Sequence, residues 1–288
     1  MIDKIRSFGQ MIKFSHTVFA LPFALSAVVL AAQQHYTIQT WDIVWIILAM
    51  VGARSAAMGF NRIVDSKFDA KNPRTAMRAI PSGEISRLQS IIFVIGFSFL
   101  FLFSSAKLAM ICFYCGIPVL LLLFMYSYLK RFTSLCHIYL GFAISLAPMG
   151  AWVAITKSFD WPILFLSLAL LTHISGFDIL YACQDCDFDR KEGLYSIPAQ
   201  YGIETALLVS AILHVFCFLA FVSIYFLFHM KIIYLLTVII IGIALVIEHL
   251  IVTSDNLSQV PIAFFHINSA ISLVFLMGIS GDVLLCQT

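Results

Sequence analysis

Nine apolar runs, most of them close to the roughly 20 residues that cross a bilayer as a helix, decide most of what this chain can become. They are Thr17 to Ala32, Ile43 to Phe60, Ile91 to Ser105, Leu108 to Leu129, Cys136 to Thr156, Trp161 to Ala182, Thr205 to Phe228, Ile232 to Val252 and Ile262 to Leu285. Hydrocarbon offers no hydrogen bonds to a bare backbone, so such runs must satisfy their own peptide groups as helices. The expected fold is therefore all-α and integral to the membrane. It is a single domain over residues 1–288, with nine transmembrane helices around a central cavity, arranged as two four-helix units plus a ninth helix. With 61% hydrophobic and 11% charged residues and a mean hydropathy of +0.99, little chain remains for an extramembrane domain. Function must sit in the membrane or at its surface. A net charge of +2 carries no nucleic-acid footprint.

Orientation follows from where the cations fall. With the N-terminus inside, inner segments hold thirteen of the 17 basic residues, while outer segments hold only Lys107, Lys157 and Lys231. Arg54 lies within the second span. The first run, although it resembles a signal peptide, reads as a retained span with a cytoplasmic N-terminus. The seven cysteines are scattered through apolar runs. The two C-x-x-C pairs, at Cys112/Cys115 and Cys183/Cys186, belong to opposite membrane faces, so no shared metal site is expected.

Polar chemistry concentrates at two places. A polar loop is expected from Asn61 to Ser90, opening with Asn61, Asp65 and Asp69; 120 residues later Tyr181, Asp185 and Asp189 repeat the spacing at the end of the sixth span. Positions i, i+4 and i+8 lie along one helical stripe, so each motif would present its three polar groups together on the cytoplasmic side. Four carboxylates converging alone would repel one another, and a divalent cation removes the conflict. Oxygen-only ligands point to Mg²⁺, which takes one or two carboxylates, keeps some waters and binds substrate phosphate in its other positions. The paired motifs read as a diphosphate clamp. The expected metal ligands are Asn61, Asp65, Asp69, Asp185 and Asp189. Asp187 faces away and reads as solvated.

Phosphate also needs cations, and Lys67, Lys71, Arg74, Arg78, Arg190 and Lys191 follow the motifs. Arg54, two turns before Asn61 on the same face, is expected to pair with a carboxylate or the diphosphate, because an unpaired charge in hydrocarbon is costly. Asp178, one turn before Tyr181 and inside the span, is a functional candidate for the same reason. Lys13, His16 and Lys130 stand near the inner mouth, where a carboxylated aromatic could be anchored. Glu248 and His249 read as helix-interface residues.

The segments Asn61 to Gly83 and Asp178 to Pro198, with Lys130-Arg131-Phe132-Thr133, Leu140-Gly141, Ala147-Pro148 and Lys13 to His16, resemble the UbiA superfamily of intramembrane prenyltransferases. Similarity is greatest to 4-hydroxybenzoate polyprenyltransferases and their menaquinone-pathway relatives. Arg62 departs from the pattern, since many members carry Asp there. The resemblance implies a nine-helix bundle with a cytoplasmic cavity and a lipid-facing portal, in a bacterial inner membrane. It implies Mg²⁺-dependent transfer of a polyprenyl group from its diphosphate to an aromatic acid, with Asp65, Asp69, Asp185, Asp189 and Tyr181 catalytic. Arg54, Lys67, Lys71, Arg74, Lys130, Asp178 and Lys13 would bind substrates.

The favoured acceptor is 4-hydroxybenzoate, for ubiquinone synthesis. A hydroxynaphthoate of futalosine-type menaquinone synthesis is the alternative, and the Tyr-Ala-Cys-Gln-Asp wording at Tyr181 leans towards that branch. A secondary transporter, the rival from another class, would need ionisable groups forming a route across the membrane. A CDP-alcohol phosphotransferase would need a D-G-x-x-A-R element, which this sequence lacks.

Overall fold

The computed structural model describes residues 7–9, 11–12 and 14–286, with the side chains of residues 14–16 and 286 left out. Lys13 and the side chain of His16 therefore lie outside the described residues. The principal helices are α1 (Leu21–Gln33), α2 (Thr40–Lys71), α3 (Arg87–Leu108), α4 (Met110–Leu129), α5 (Cys136–Thr156), α6 (Ile163–Ala182), α7 (Ile203–Leu227), α8 (Ile232–Ile251) and α9 (Asn268–Cys286). No β-strand forms among the described residues. Eight of the described helical segments are long and apolar enough to span a membrane. The first apolar segment, Thr17–Gln33, is shorter than that length, so the described residues do not confirm the expected count of nine spans. The chain is an all-helical integral membrane protein.

Local chemistry sets the helix ends. Ser86 accepts from the Gln89 backbone at 3.2 Å and Gln89 accepts from the Ser86 backbone at 3.0 Å, a reciprocal cap at the start of α3. Asp282 of α9 caps α8 from outside its own helix, accepting from the Lys231 and Tyr234 backbones at 2.7 and 2.9 Å. At a rise of about 1.5 Å per residue, the 32 residues of α2 exceed a hydrocarbon core of about 30 Å by several turns. The first motif therefore does not open a loop. Residues 61–71 continue the helix, because nothing between Asn61 and Lys71 breaks it, and the chain leaves helical geometry only at Asn72, directly before Pro73.

Helices α2 with α3, α6 with α7 and α5 with α6 make the most extensive contacts. Small residues allow that approach. A Cβ at Gly52 of α2 would stand 2.7 Å from the Phe101 backbone nitrogen of α3, and one at Gly141 of α5 would run into the Leu171 carbonyl and Ser175 Oγ of α6. The main core lies among α1 and α5 to α9, centred on the fully buried Phe23, Trp152, Phe221, Tyr234 and Phe275. Glu248 and His249 belong to this packing. Buried Glu248 accepts from Asn268 at 2.9 Å, and His249 meets His214 at 2.9 Å. Helices α3 and α4 are the least buried and turn Ile92, Ile95, Phe99 and Leu121 outwards, as lipid contact requires.

Candidate active site

A cavity of about 650 Å³ opens among α2, α4, α5 and α6. One end is polar and holds both acidic motifs. The remainder is lined by apolar residues such as Ile46, Met50, Leu108, Leu123, Ala147 and Val153. This is an amphipathic chamber of the kind that takes a charged head and an apolar tail.

The first motif sits on the last three turns of α2, where continued helix keeps Asn61, Asp65 and Asp69 on one stripe. Asn61 donates to Asp65 Oδ2 at 2.7 Å. The second motif departs from the expected geometry. Helix α6 ends at Ala182, a 3-10 turn covers Cys183–Asp185, and a short helix resumes at Cys186–Lys191. The break removes the single stripe, yet Tyr181, Asp185 and Asp189 all line the same cavity as the first motif. Asp187, as expected, is exposed.

Each carboxylate is held by a cation from another segment. Arg131 reaches Asp65 at 3.3 Å, Arg78 reaches Asp69 at 2.6 Å, and Lys130 reaches Asp189 at 3.1 Å. Arg74 forks onto Asp185, with Nε donating to Oδ1 at 2.9 Å and a guanidinium NH2 donating to Oδ2, while its NH1 donates to the Tyr181 hydroxyl at 2.6 Å. Asn72 adds a bond to Asp185 Oδ1 at 3.1 Å. The segment after α2 thus straps the first motif onto the second. Across the site, the left-handed turn at Gly193 (φ 67°) brings the Tyr195 backbone to donate to the Lys130 carbonyl at 2.6 Å. Burial opposes charge on Arg74, but its bonds to Asp185 and Tyr181 outweigh that and push its pKa up. Lys130 shows the same balance, with burial overcome by Asp189, so its pKa is also raised.

The other expected site residues separate into two groups. Arg54 and Asp178 line the cavity with the motifs. Arg54 has no carboxylate within ion-pair distance among the described residues, and its Nε is buried without a hydrogen-bond partner. Of the two expected partners, a carboxylate or the diphosphate, no carboxylate is in place among the described residues, because Asp65 and Asp69 are taken by residues 62, 78 and 131. Lys67 and Lys71 do not line the cavity. Lys67 borders a separate groove with Arg87, and Lys71 points outwards, 60% exposed, to pair with Glu192. At i+2 and i+6 from Asp65 their side chains leave α2 on other faces than the stripe.

Several site residues escaped sequence reasoning. Arg62, noted only as a departure from the family pattern, is buried against Asp69 at 3.8 Å and donates to the Asn61 side-chain Oδ1 at 3.3 Å. Arg131 was visible only as a neighbour of Lys130. His137 carried no motif, but bonds Asp178 at 2.7 Å. Phe264, in a π-helical turn before α9, packs its ring 4.2 Å from that of Tyr181.

No three His, Cys, Asp or Glu side chains stand close enough among the described residues to form a ligand cluster by themselves. The donor set nevertheless fits Mg²⁺. It is oxygen-only, the buried Asp69 Oδ2 has no hydrogen-bond partner, and Mg²⁺ takes one or two carboxylates with water and phosphate supplying the rest. Five carboxylates and six Arg or Lys side chains line the cavity, so its charge is nearly balanced. A diphosphate in such a site would add negative charge that a divalent cation would offset.

Comparison with known proteins agrees with this chamber. The family model described as the UbiA prenyltransferase family matches residues 20–270. A 4-hydroxybenzoate octaprenyltransferase of Vibrio campbellii is 28% identical over 217 residues, 73% of this chain and 74% of that protein. One from Legionella pneumophila is 30% identical over 167 residues, 58% of this chain and 59% of that protein. Among solved structures, a UbiA homologue from Aeropyrum pernix K1 superposes with a TM-score of 0.84 at 28% identity, covering 93% of this chain and 98% of that one. A UbiA homologue from Archaeoglobus fulgidus bound to GPP and Mg²⁺ has the same fold, with a TM-score of 0.74 at 19% identity over 96% and 99% of the two chains.

Proposed function

This chain belongs to the UbiA prenyltransferase family, and we propose that, as one prenyltransferase domain, it moves a polyprenyl group from polyprenyl diphosphate to a ring carbon of 4-hydroxybenzoate in ubiquinone biosynthesis. The observation that carries the reading is the meeting of both acidic motifs at the polar end of an otherwise apolar cavity. The acceptor assignment rests on the relatives named above. We place the protein in a bacterial cytoplasmic membrane with the site facing the cytoplasm, as the distribution of basic residues favours.

Asn61, Asp65, Asp69, Asp185 and Asp189 would hold Mg²⁺. When bound, the metal supplies electrostatic stabilisation of charge developing on the leaving diphosphate. The chain's own residues do the rest. Arg74 and Lys130, already at the second motif, offer donors to phosphate oxygens, and Arg54, in no ion pair among the described residues, brings its guanidinium to the same chamber. Tyr181, fixed between Arg74 and Phe264, forms part of the wall beside the leaving group. The apolar walls hold the isoprenoid tail and keep water from the allylic cation. An electron-rich ring carbon then attacks that cation, and loss of the ring proton restores aromaticity.

The test is prenyl transfer in isolated membranes, with labelled polyprenyl diphosphate, Mg²⁺ and a panel of hydroxybenzoic and hydroxynaphthoic acids, reading products by mass. Prenylated 4-hydroxybenzoate is the expected product. Transfer only to a hydroxynaphthoate would move the enzyme to menaquinone synthesis, and no transfer to any acid would overturn the reading.

A further inference from the structure

Helix α6 is the most enclosed of the spanning helices, and along Thr172–Leu180 every residue except Asp178 is buried. Asp178 lines the main cavity, so its remaining exposure is directed there. Its carboxylate is held from one side only. His137, the second residue of α5 and 1% exposed, stands with Nδ1 2.7 Å from Asp178 Oδ2. A carboxylate only accepts, so the imidazole donates. Oδ1 has no partner among the described residues. Tyr126 of α4 lines the same cavity, as do Asp65 and Arg62 of α2.

None of the cation–carboxylate pairs that occupy the acidic motifs involves this aspartate. It sits seven residues before Asp185, about 10 Å along the helix at 1.5 Å per residue. That offset leaves room for an aromatic ring beside a leaving diphosphate. The side chain is oriented by a buried donor, faces the chamber with one free oxygen, and stands on the scaffold's most enclosed helix. These are the attributes of a preorganised proton acceptor.

We propose that Asp178 receives the hydroxyl hydrogen of the aromatic acceptor during prenyl transfer, with His137 as its positioning residue, so that the pair selects acceptors bearing a hydroxyl next to the alkylated carbon. This rests on the prenyltransferase reading above. In the first step a ring carbon beside the hydroxyl-bearing carbon bonds to the allylic carbon. The allylic C–O bond breaks with its electron pair on diphosphate, and the hydroxyl proton passes to Asp178 Oδ1, leaving a ring ketone. In the second, the proton on the alkylated carbon goes to the departed diphosphate, and Asp178 returns its proton to the ketone oxygen. The products are the prenylated phenol, protonated diphosphate and a regenerated carboxylate.

The experiment compares two acceptors, 4-hydroxybenzoate and a ring-fluorinated analogue with a free carbon beside a hydroxyl already ionised at the assay pH. Native protein should prefer the neutral phenol. Asp178→Asn should lose about 100-fold in kcat with 4-hydroxybenzoate, the scale of a lost general base, and keep its KM for polyprenyl diphosphate. With the ionised analogue its loss should be less than about fivefold, inverting the preference. His137→Leu should lose about tenfold with 4-hydroxybenzoate, the scale of one charge-assisted hydrogen bond. His137→Asn, whose amide nitrogen occupies the place of Nδ1, should recover most of that. Equal losses with both acceptors, or no loss, would overturn the assignment. Should Asp178→Asn fail to insert, the two His137 variants give the same comparison. Failure of the underlying reading is separate, because it appears in the native protein as no transfer to either acceptor.

Discussion

Arg74→Lys isolates the contact that joins the two motifs. Native Arg74 makes a fork to both oxygens of Asp185 and a third bond to the Tyr181 hydroxyl. Lysine keeps the charge, but a point ammonium holds one carboxylate oxygen and cannot also span to Tyr181. The substitution loses one arm of the fork and one phenol bond. Hydrogen bonds to charged groups contribute about 1.5–3 kcal/mol and neutral ones about 1 kcal/mol. Because the arginine side chain is 32% exposed, solvent screening reduces the sum to about 1.5–2 kcal/mol, or 10- to 30-fold. In a transfer assay that loss should appear in kcat/KM for polyprenyl diphosphate, with KM for the aromatic acid unchanged. Arg74→Gln, which also removes the charge, should lose more. If Arg74→Lys matches native protein within about twofold, or its whole effect lies in the acceptor KM, the strap is a surface tether and the reasoning fails.

Asp65→Ala and Asp185→Ala should each cut prenyl transfer at least about 100-fold, the scale of removing a major electrostatic contact to the leaving group, while membrane insertion, followed by fractionation, persists. Excess chelator should abolish native transfer and added Mg²⁺ restore it; undiminished turnover with chelator would sink the metal assignment. Lys71→Ala should stay within about twofold of native activity, since an exposed ion pair contributes about 0–1 kcal/mol. Gly141→Val should cost about 1–3 kcal/mol through overpacking against the α6 backbone and lower the melting temperature in detergent, whereas Gly150→Ala, with open space at its Cβ, should melt like native protein.

Composition and periodicity were enough for an all-helical membrane protein, because hydrocarbon leaves the backbone almost no other way to satisfy itself. The acidic residues were legible for a similar reason. Carboxylates at the ends of spans are costly enough to stand out, and Asn61, Asp65, Asp69, Tyr181, Asp185 and Asp189 all line one cavity. Sequence spacing misjudged their local setting in opposite directions. The first motif lies on continuous helix where a loop was expected, since helix ends depend on capping and on Pro73 more than on polarity. The second is interrupted by a 3-10 turn where one stripe was expected.

The partners of those acids were decided only in three dimensions. For Asp65, Asp185 and Asp189, which of the many cations meets the carboxylate depends on side chains converging from positions 59 to 111 residues apart, and no local pattern encodes that convergence. So Lys67 and Lys71, nearest in sequence, turn away from the cavity, while Arg131 and Arg74 enter it from other segments. His137 had no signal at all: a lone histidine at a helix start acquires meaning only when packing of α5 on α6 brings it to Asp178. By itself the sequence determined the solvent this chain must fold in and the acids it concentrates at one membrane face. Tertiary packing, through contacts that short-range periodicity cannot specify, decided which cation answers each acid and set His137 against Asp178.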